Sequence, residues 1–447
     1  MSDNEQTTSQ QLFNHLYEGC NILRGPINQD EFKSYITPIL FFKRISDVYD
    51  IEQNNPDTLS GVFSSFDDAN WTDKTKLDDA RLKNLVEHFS KIKVGNNNYS
   101  ADVMGDAYEF LIKKFADLSK KNAGEFYTPR SIVKLLVMLM DPKPGETVYD
   151  PACGTGGMLI EAIHHINNNK QTYGKIFGQE NNLSTSAIAR MNLFLHGARD
   201  FTIGQADTLR TPLFIENNKL KTFNCVIANP PFSLENWGAE IFLNDRYGRN
   251  LWGCPSDSNG DFAWLQHMVA SMNKENGRCA VVLPQGVLFR STGKEGEIRK
   301  ALIESDKLEC VITLVGGVFY STSVSACILL LNNNKEHTHK GRICLINAES
   351  IYTPMRAQNI MTEENIQEVF ELYKKYEDVI EKVKVVNLDE IRQKDYSLSV
   401  SNYIEKKPEE AIDVEKVKKE YFEAVKEVQE NEEKMKKLLI EGGFING

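Results

Sequence analysis

The stretch Tyr149–Ala162, YDPACGTGGMLIEA, decides the fold. Tyr149 ends an apolar run and Asp150 follows at its tip. Gly154, Gly156 and Gly157 then let the backbone turn tightly into a helical segment. Glycines at such a turn allow a ligand to approach main-chain amides closely. The pattern is close to a dinucleotide fingerprint. Leu159 stands where the third glycine would be, which weakens an NAD reading.

Outward from this turn, short β-branched runs alternate with helical segments. KIFGQE, FTIGQA, CVIANPP, RCAVVLP and LECVITLV read as strands; TSAIARMNLFLHG, DFAWLQHMVASM and EIRKALIE read as helices. Alternation of this kind predicts an α/β fold, a mainly parallel sheet covered on both faces. SACILLLN follows LECVITLV after only a Gly-rich turn. That pair predicts a hairpin, hence a terminal antiparallel strand.

A chain of 447 residues is too long for one ordinary core. Residues 1–120 read as a helical domain, with Phe32, Tyr35, Ile36, Ile39, Leu40, Ile45 and Val48 at helical spacing. Lys43 and Arg44 there suit a solvated helix face or a phosphate contact. Residues 121–400 carry the strand–helix alternation. Residues 401–447 form a charged helical tail, with Val414, Val417, Tyr421, Ala424, Val428, Asn431, Met435 and Leu438 on a seven-residue repeat that suits a partner helix or the chain itself. The net charge of −11 argues against a whole-surface nucleic-acid binder and leaves room for a local basic cleft or a basic partner. The eight cysteines form no Cys-x-x-Cys pair, and most sit in apolar runs, which argues against disulfides or zinc. No metal is expected. No apolar run approaches the roughly 20 residues that span a bilayer, so a cytoplasmic protein is expected.

The strand tips carry the chemistry. Glu180 closes the second strand, where a carboxylate can accept both hydroxyls of a ribose. Asp207, at the third tip, suits either an adenine amino group or a helix N-cap. RSTGKEGE lacks the first glycine and the magnesium-binding hydroxyl of a phosphate loop. At the fourth tip Asn229, Pro230, Pro231 and Phe232 form an elbow. Two prolines remove backbone donors and stiffen the turn, so the Asn229 side chain and the Pro230 carbonyl stay within reach of a ligand.

In this order, the glycine turn, the two strand-end acids and Asn-Pro-Pro-Phe resemble the S-adenosylmethionine-dependent amino-methyltransferases, which have a Rossmann-like catalytic domain. GEFYTPRSIVKLLVMLM, ahead of the turn, is similar to the extra cofactor motif of the methylation subunit of type I restriction–modification systems. CNILRGPINQDEFKSYITPILFFKRISDVYD, GDFAWLQHM, GRCAVVLPQGVLF and GGVFYSTSVSACILLL are similar to other parts of that family. The resemblance implies an adenine N6 DNA methyltransferase. S-adenosylmethionine would be held by Glu125, Phe126, Tyr127, Thr128, Pro129 and Arg130, by Asp150, Gly154, Thr155, Gly156 and Gly157, and by Glu180 and Asp207. Thr128 and Pro129 also suit the start of a helix, as N-cap and first residue. Asn229 and Pro230 would accept the two amino hydrogens of an adenine flipped out of double-stranded DNA. Phe232 would stack on the base, worth roughly 1–3 kcal/mol. After about Asn347 only helices and linkers are expected, so a separate specificity subunit would read the sequence. The family's complexes contain a second copy of the chain, and a motor-nuclease subunit can join them. Other readings are a protein-glutamine methyltransferase and a cofactor-binding scaffold without catalysis.

Overall fold

The structure is a computed structural model that describes residues 3–48, 71–95, 98–99, 103–104, 107, 110–111, 128–167, 174–198, 200–291, 293–319, 324–355, 359–405 and 414–445. Glu125, Phe126 and Tyr127 lie outside the described residues, as does most of the expected loop and helix between 52 and 118. The chain forms two compact units, Met1–Ile404 and Glu405–Gly447.

The apolar runs become strands β1 (Val148–Asp150), β2 (Ile176–Glu180), β3 (Phe201–Gln205), β4 (Ile215–Glu216), β5 (Lys219–Leu220), β6 (Cys225–Ala228), β7 (Arg278–Pro284), β8 (Leu308–Leu314), β9 (Ala326–Asn332), β10 (Arg342–Ala348) and β11 (Val383–Asn387). Apart from the β4–β5 pair, they form one nine-stranded sheet in the order β11-β10-β8-β9-β7-β6-β1-β2-β3. β3, β2, β1, β6 and β7 run parallel. The segment between β8 and β9 is too short for a crossover helix, so β9 returns antiparallel. It is inserted between β7 and β8 and pairs with both, so the expected hairpin lies inside the sheet. The antiparallel edge is β11, paired with β10 from Arg342↔Asn387 to Ile346↔Val383.

This corrects the reading that only helices and linkers follow Asn347. The β11 sequence VKVVN is short and half-buried, with Lys384 on the sheet edge, so it gives no long apolar run. Buried apolar side chains cover both sheet faces. One face packs the helices Arg130–Met140, Gly157–Asn167 and Glu363–Lys375; the other packs Asp261–Ala270 and Glu295–Glu304. Cys225, Cys279, Cys310 and Cys327 are buried strand residues.

Helices Asp3–Leu23, Phe32–Val48 and Asp79–Ser90 share a core that reaches Met191 and Leu195 of the helix Leu183–Leu195. Arg44 is neither solvated nor free for phosphate. It is buried and donates to the carbonyls of Val94 and Tyr99, while Lys43 pairs with Asp47. His15 and His88 stack with ring centroids 4.1 Å apart, each Nε2 meeting the other's main-chain carbonyl. The pair braces the helices Asp3–Leu23 and Asp79–Ser90 against each other. In the second unit, Val414–Glu441 is a helix on which Val417, Tyr421, Val428, Met435 and Leu438 are exposed. Among the described residues no helix is long and apolar enough to cross a membrane.

Candidate active site

Strand order reverses between β1 and β6, and ligands of open α/β sheets bind in the crevice at such a switch point. One lip is the glycine turn after β1. The other is the elbow after β6.

The turn is shaped by residues that the sheet holds. Gly154 (φ 52°) and Gly156 (φ 84°) adopt left-handed backbone, where a β-carbon is strained. Asn192 donates its amide hydrogen to the Thr155 carbonyl at 3.0 Å. The third glycine of the fingerprint normally permits close helix–strand packing. Here Gly178 on β2 does so, because a β-carbon there would lie 3.0 Å from Leu159 Cδ1 and 2.9 Å from Cys153 Sγ.

Two acids face the turn. Asp150 is fully buried; one oxygen accepts the Ala152 N–H at 2.9 Å and the other, Oδ2, has no partner. Burial, with a smaller push from Glu180, raises its pKa to about 8. Glu180 accepts the N–H of Gly154 at 3.1 Å and of Asn182 at 2.7 Å, which staples the turn to the tip of β2. Burial still lifts its carboxyl above the usual value. An unpaired buried carboxylate oxygen beside open glycine backbone fits a ligand that brings positive charge and hydroxyl donors.

Asp207 caps a turn, not a helix: its Oδ1 accepts from the N–H groups of Leu209 (2.9 Å) and Arg210 (3.1 Å). Behind it lies a brace that sequence reasoning missed. Buried Arg249 pairs with Asp245 at 2.7 Å and donates to the carbonyls of Thr208 and Leu209, each at 2.9 Å. Thr208 in turn donates to the Pro151 carbonyl at 2.6 Å. Loops after β1, β3 and β6 are thereby tied together. Gln179 adds a second tie, accepting from Leu213 N–H and donating to the carbonyls of Ala206 and Thr211.

At the elbow, Asn229 donates from Nδ2 to Thr128 Oγ1 at 3.0 Å, while its Oδ1 is buried with no partner. Thr128 is therefore not a helix cap. Pro129 holds the N-cap position, its carbonyl accepting from Ile132 and Val133, and Arg130 is the first helical residue and exposed. Pro230 is buried and Pro231 exposed. Phe232 meets Phe319 edge-to-face, with centroids 5.8 Å apart and planes at 70°. Phe319 lies in the loop that follows β8, beyond its last residue Leu314. Ser233 takes a left-handed backbone (φ 50°) and its N–H is held by Asp261 Oδ1 at 2.8 Å. Asp261 Oδ2 pairs with Arg290 at 2.9 Å, so RSTGKEGE acts here as a structural anchor.

Comparison with known proteins gives the family. The profile of the N-6 DNA Methylase family matches residues 99–411, and that of the HsdM N-terminal domain matches residues 12–55. The chain is 32% identical to the type I restriction enzyme HindI methylase subunit of Haemophilus influenzae, over 81% of this chain and 82% of that one. It is 33% identical to the MjaVII methylase subunit of Methanocaldococcus jannaschii over 82% of this chain, but spans only 63% of that relative's length. The crystal structure of a type I restriction–modification methyltransferase subunit from Streptococcus thermophilus superimposes with a TM-score of 0.76, at 27% identity, covering 89% of this chain and 100% of that chain. With a glycine turn after β1 and an Asn-Pro-Pro-Phe elbow after β6, the two strands that flank the switch point, the chain belongs to the N-6 DNA methylase family, among the methylase subunits of type I restriction enzymes.

Proposed function

We propose that this chain methylates the N6 amino group of an adenine flipped out of double-stranded DNA, with S-adenosylmethionine as donor. The observation that carries the reading is Asn229 Oδ1, a buried acceptor without a partner at the tip of β6, next to the strand that carries the glycine turn. S-adenosylmethionine would supply an electrophilic methyl group. Asp150, Gly154, Thr155, Gly156, Gly157, Glu180 and Asp207 would hold it, joined by the Thr128–Arg130 segment and by Glu125, Phe126 and Tyr127.

The adenine amino group is a poor nucleophile because its lone pair is delocalised into the ring. Asn229 Oδ1 and the Pro230 carbonyl accept its two hydrogens, which favours a tetrahedral nitrogen with a directed lone pair. The two prolines supply no competing donors and keep the elbow rigid. Phe232 would stack on the extruded base, which costs a few kcal/mol to unstack, and buried Phe319, packed edge-to-face on Phe232, would hold that ring in place.

The relatives are methylase subunits of multi-subunit enzymes. We assign this chain a specificity subunit that reads the sequence, a second copy of itself, and a motor-nuclease subunit that can join. The division into 1–120, 121–400 and 401–447 follows, with the exposed repeat of the tail as the attachment. The test is to purify the complex through a tag on this chain from its native host. It is then incubated with labelled S-adenosylmethionine, genomic DNA lacking adenine methylation, and host protein. Label on DNA adenine is expected; label on protein alone overturns the reading in favour of a protein-glutamine methyltransferase.

A further inference from the structure

We propose that Thr128 is the positioning residue of Asn229: its hydroxyl oxygen accepts an amide hydrogen and so holds the amide with Oδ1 toward the crevice. The inference rests on the function proposed for Asn229.

An asparagine amide has nearly the same shape after a half-turn, so packing alone does not decide which end meets the substrate. Oxygen inward lets the amino group of the base donate; nitrogen inward sets hydrogen against hydrogen. With Nδ2 3.0 Å from Thr128 Oγ1, Oδ1 is the end of the amide left free for a substrate, buried and unpartnered. The reverse orientation would bury an unpartnered N–H group instead. Orphaned buried N–H groups are rarer in proteins than under-satisfied carbonyl oxygens, so the Thr128 bond goes with the orientation that chemistry needs.

The mount is rigid. A residue before proline is held extended, and Pro129 follows Thr128. Pro129 is buried, and the helix behind it buries Ile132, Leu135 and Leu136 in the sheet core. The hydroxyl therefore reaches Asn229 from an anchor 101 residues away in sequence. A motif placed beside the cofactor by resemblance thus also acts on the substrate side of the crevice.

Thr128→Val keeps the shape and removes the acceptor; Thr128→Ser keeps the acceptor. Using the complex isolated from its native host and unmethylated genomic DNA, we expect Thr128→Val to slow methyl transfer in kcat by about tenfold, the scale of one misplaced hydrogen bond. Thr128→Ser should stay within about threefold of wild type. DNA affinity, measured by filter binding, should be unchanged in both, and kcat is read at saturating S-adenosylmethionine because Thr128 also belongs to the segment proposed to hold the cofactor. In an Asn229→Ala background Thr128→Val should cause no further loss, because a residue acting only through Asn229 has nothing left to position. If valine does not fold, Thr128→Ala is read in the same cycle. Undiminished kcat, equal loss in both backgrounds, or a loss that disappears at saturating S-adenosylmethionine overturns the inference alone. A wild-type complex that labels no DNA, or Asn229→Ala with normal turnover, overturns the function proposed for Asn229 and the inference with it.

Discussion

Titrating cofactor affinity against pH tests the buried acid at the tip of β1. The Asp150 carboxyl ionises at about 8, chiefly because burial strips it of water and further because Glu180 is near; the Ala152 N–H pulls weakly the other way. One pH unit below its midpoint, at pH 7, about nine-tenths of the free chain carries Asp150 neutral. Held at Asp150 as proposed, S-adenosylmethionine would select the carboxylate through its sulfonium, which is charged at every pH, so binding would expel the proton. Below pH 8, each unit of acidification should weaken apparent affinity about tenfold, or ~1.4 kcal/mol. Above about pH 9 the Asp150 contribution, taken as the difference from Asp150→Asn so that the donor's own amino group cancels, should be flat. Calorimetric titration of S-adenosylmethionine into the full-length chain, in buffers of contrasting ionisation heat, should read about 0.9 proton released at pH 7 and almost none near pH 9.5. Asp150→Asn should bind weakly at every pH, without the slope. A dissociation constant that stays level between about pH 6 and 9, or a slope that survives in the asparagine variant, refutes the assignment. The same shift has a stability sign. A carboxyl whose folded pKa is raised contributes stability that is complete below its unfolded value of about 3.9 and is lost as pH rises through the folded value. The cofactor-free chain should therefore melt at a lower temperature at pH 8.5 than at pH 6, and Asp150→Asn should remove that part of the difference.

Asn229→Ala should keep cofactor affinity and lose about 10²–10³-fold in methyl transfer, read with labelled donor on genomic DNA. Phe319→Ala, by loosening Phe232, should weaken capture of the flipped base by roughly 1–3 kcal/mol, read as a raised KM for DNA with cofactor affinity intact. Arg249→Met leaves Asp245 charged and unpaired in the interior and should cost about 3–5 kcal/mol in denaturant unfolding, more than the double change Arg249→Met/Asp245→Leu. Gly178→Val would drive carbon into Ile203, Cys153 and Leu159 beneath the glycine turn. It should cost about 1–3 kcal/mol of stability and weaken cofactor binding.

What the sequence disclosed and what it withheld divide along the range of the physics involved. The parallel strands, the glycine turn and the elbow are local: each is written in a few consecutive residues whose backbone preferences leave little choice. The place of β9 within the sheet is not local, since its run is equally apolar at an edge or at the centre, and only the pairing with β7 decides. β11 escaped because a half-buried edge strand interrupted by Lys384 has no pattern to find. In the site, the acids at strand tips were legible because tips are where parallel sheets bind ligands. The braces were not: Arg249, Asp261 and Arg290 look like solvated charges until the fold pairs Arg249 with Asp245 and two carbonyls, and Arg290 with Asp261. Thr128 shows the same boundary at one residue. Its neighbours mark a helix start, which is where local reasoning put it, yet its hydroxyl is engaged by an amide from the other lip of the crevice. Catalytic groups announce themselves in sequence because chemistry restricts residue type; the residues that aim them are free in type and constrained only by distance. The next functional positions in such a chain should therefore be sought among buried polar groups bonded to the elbow and the glycine turn.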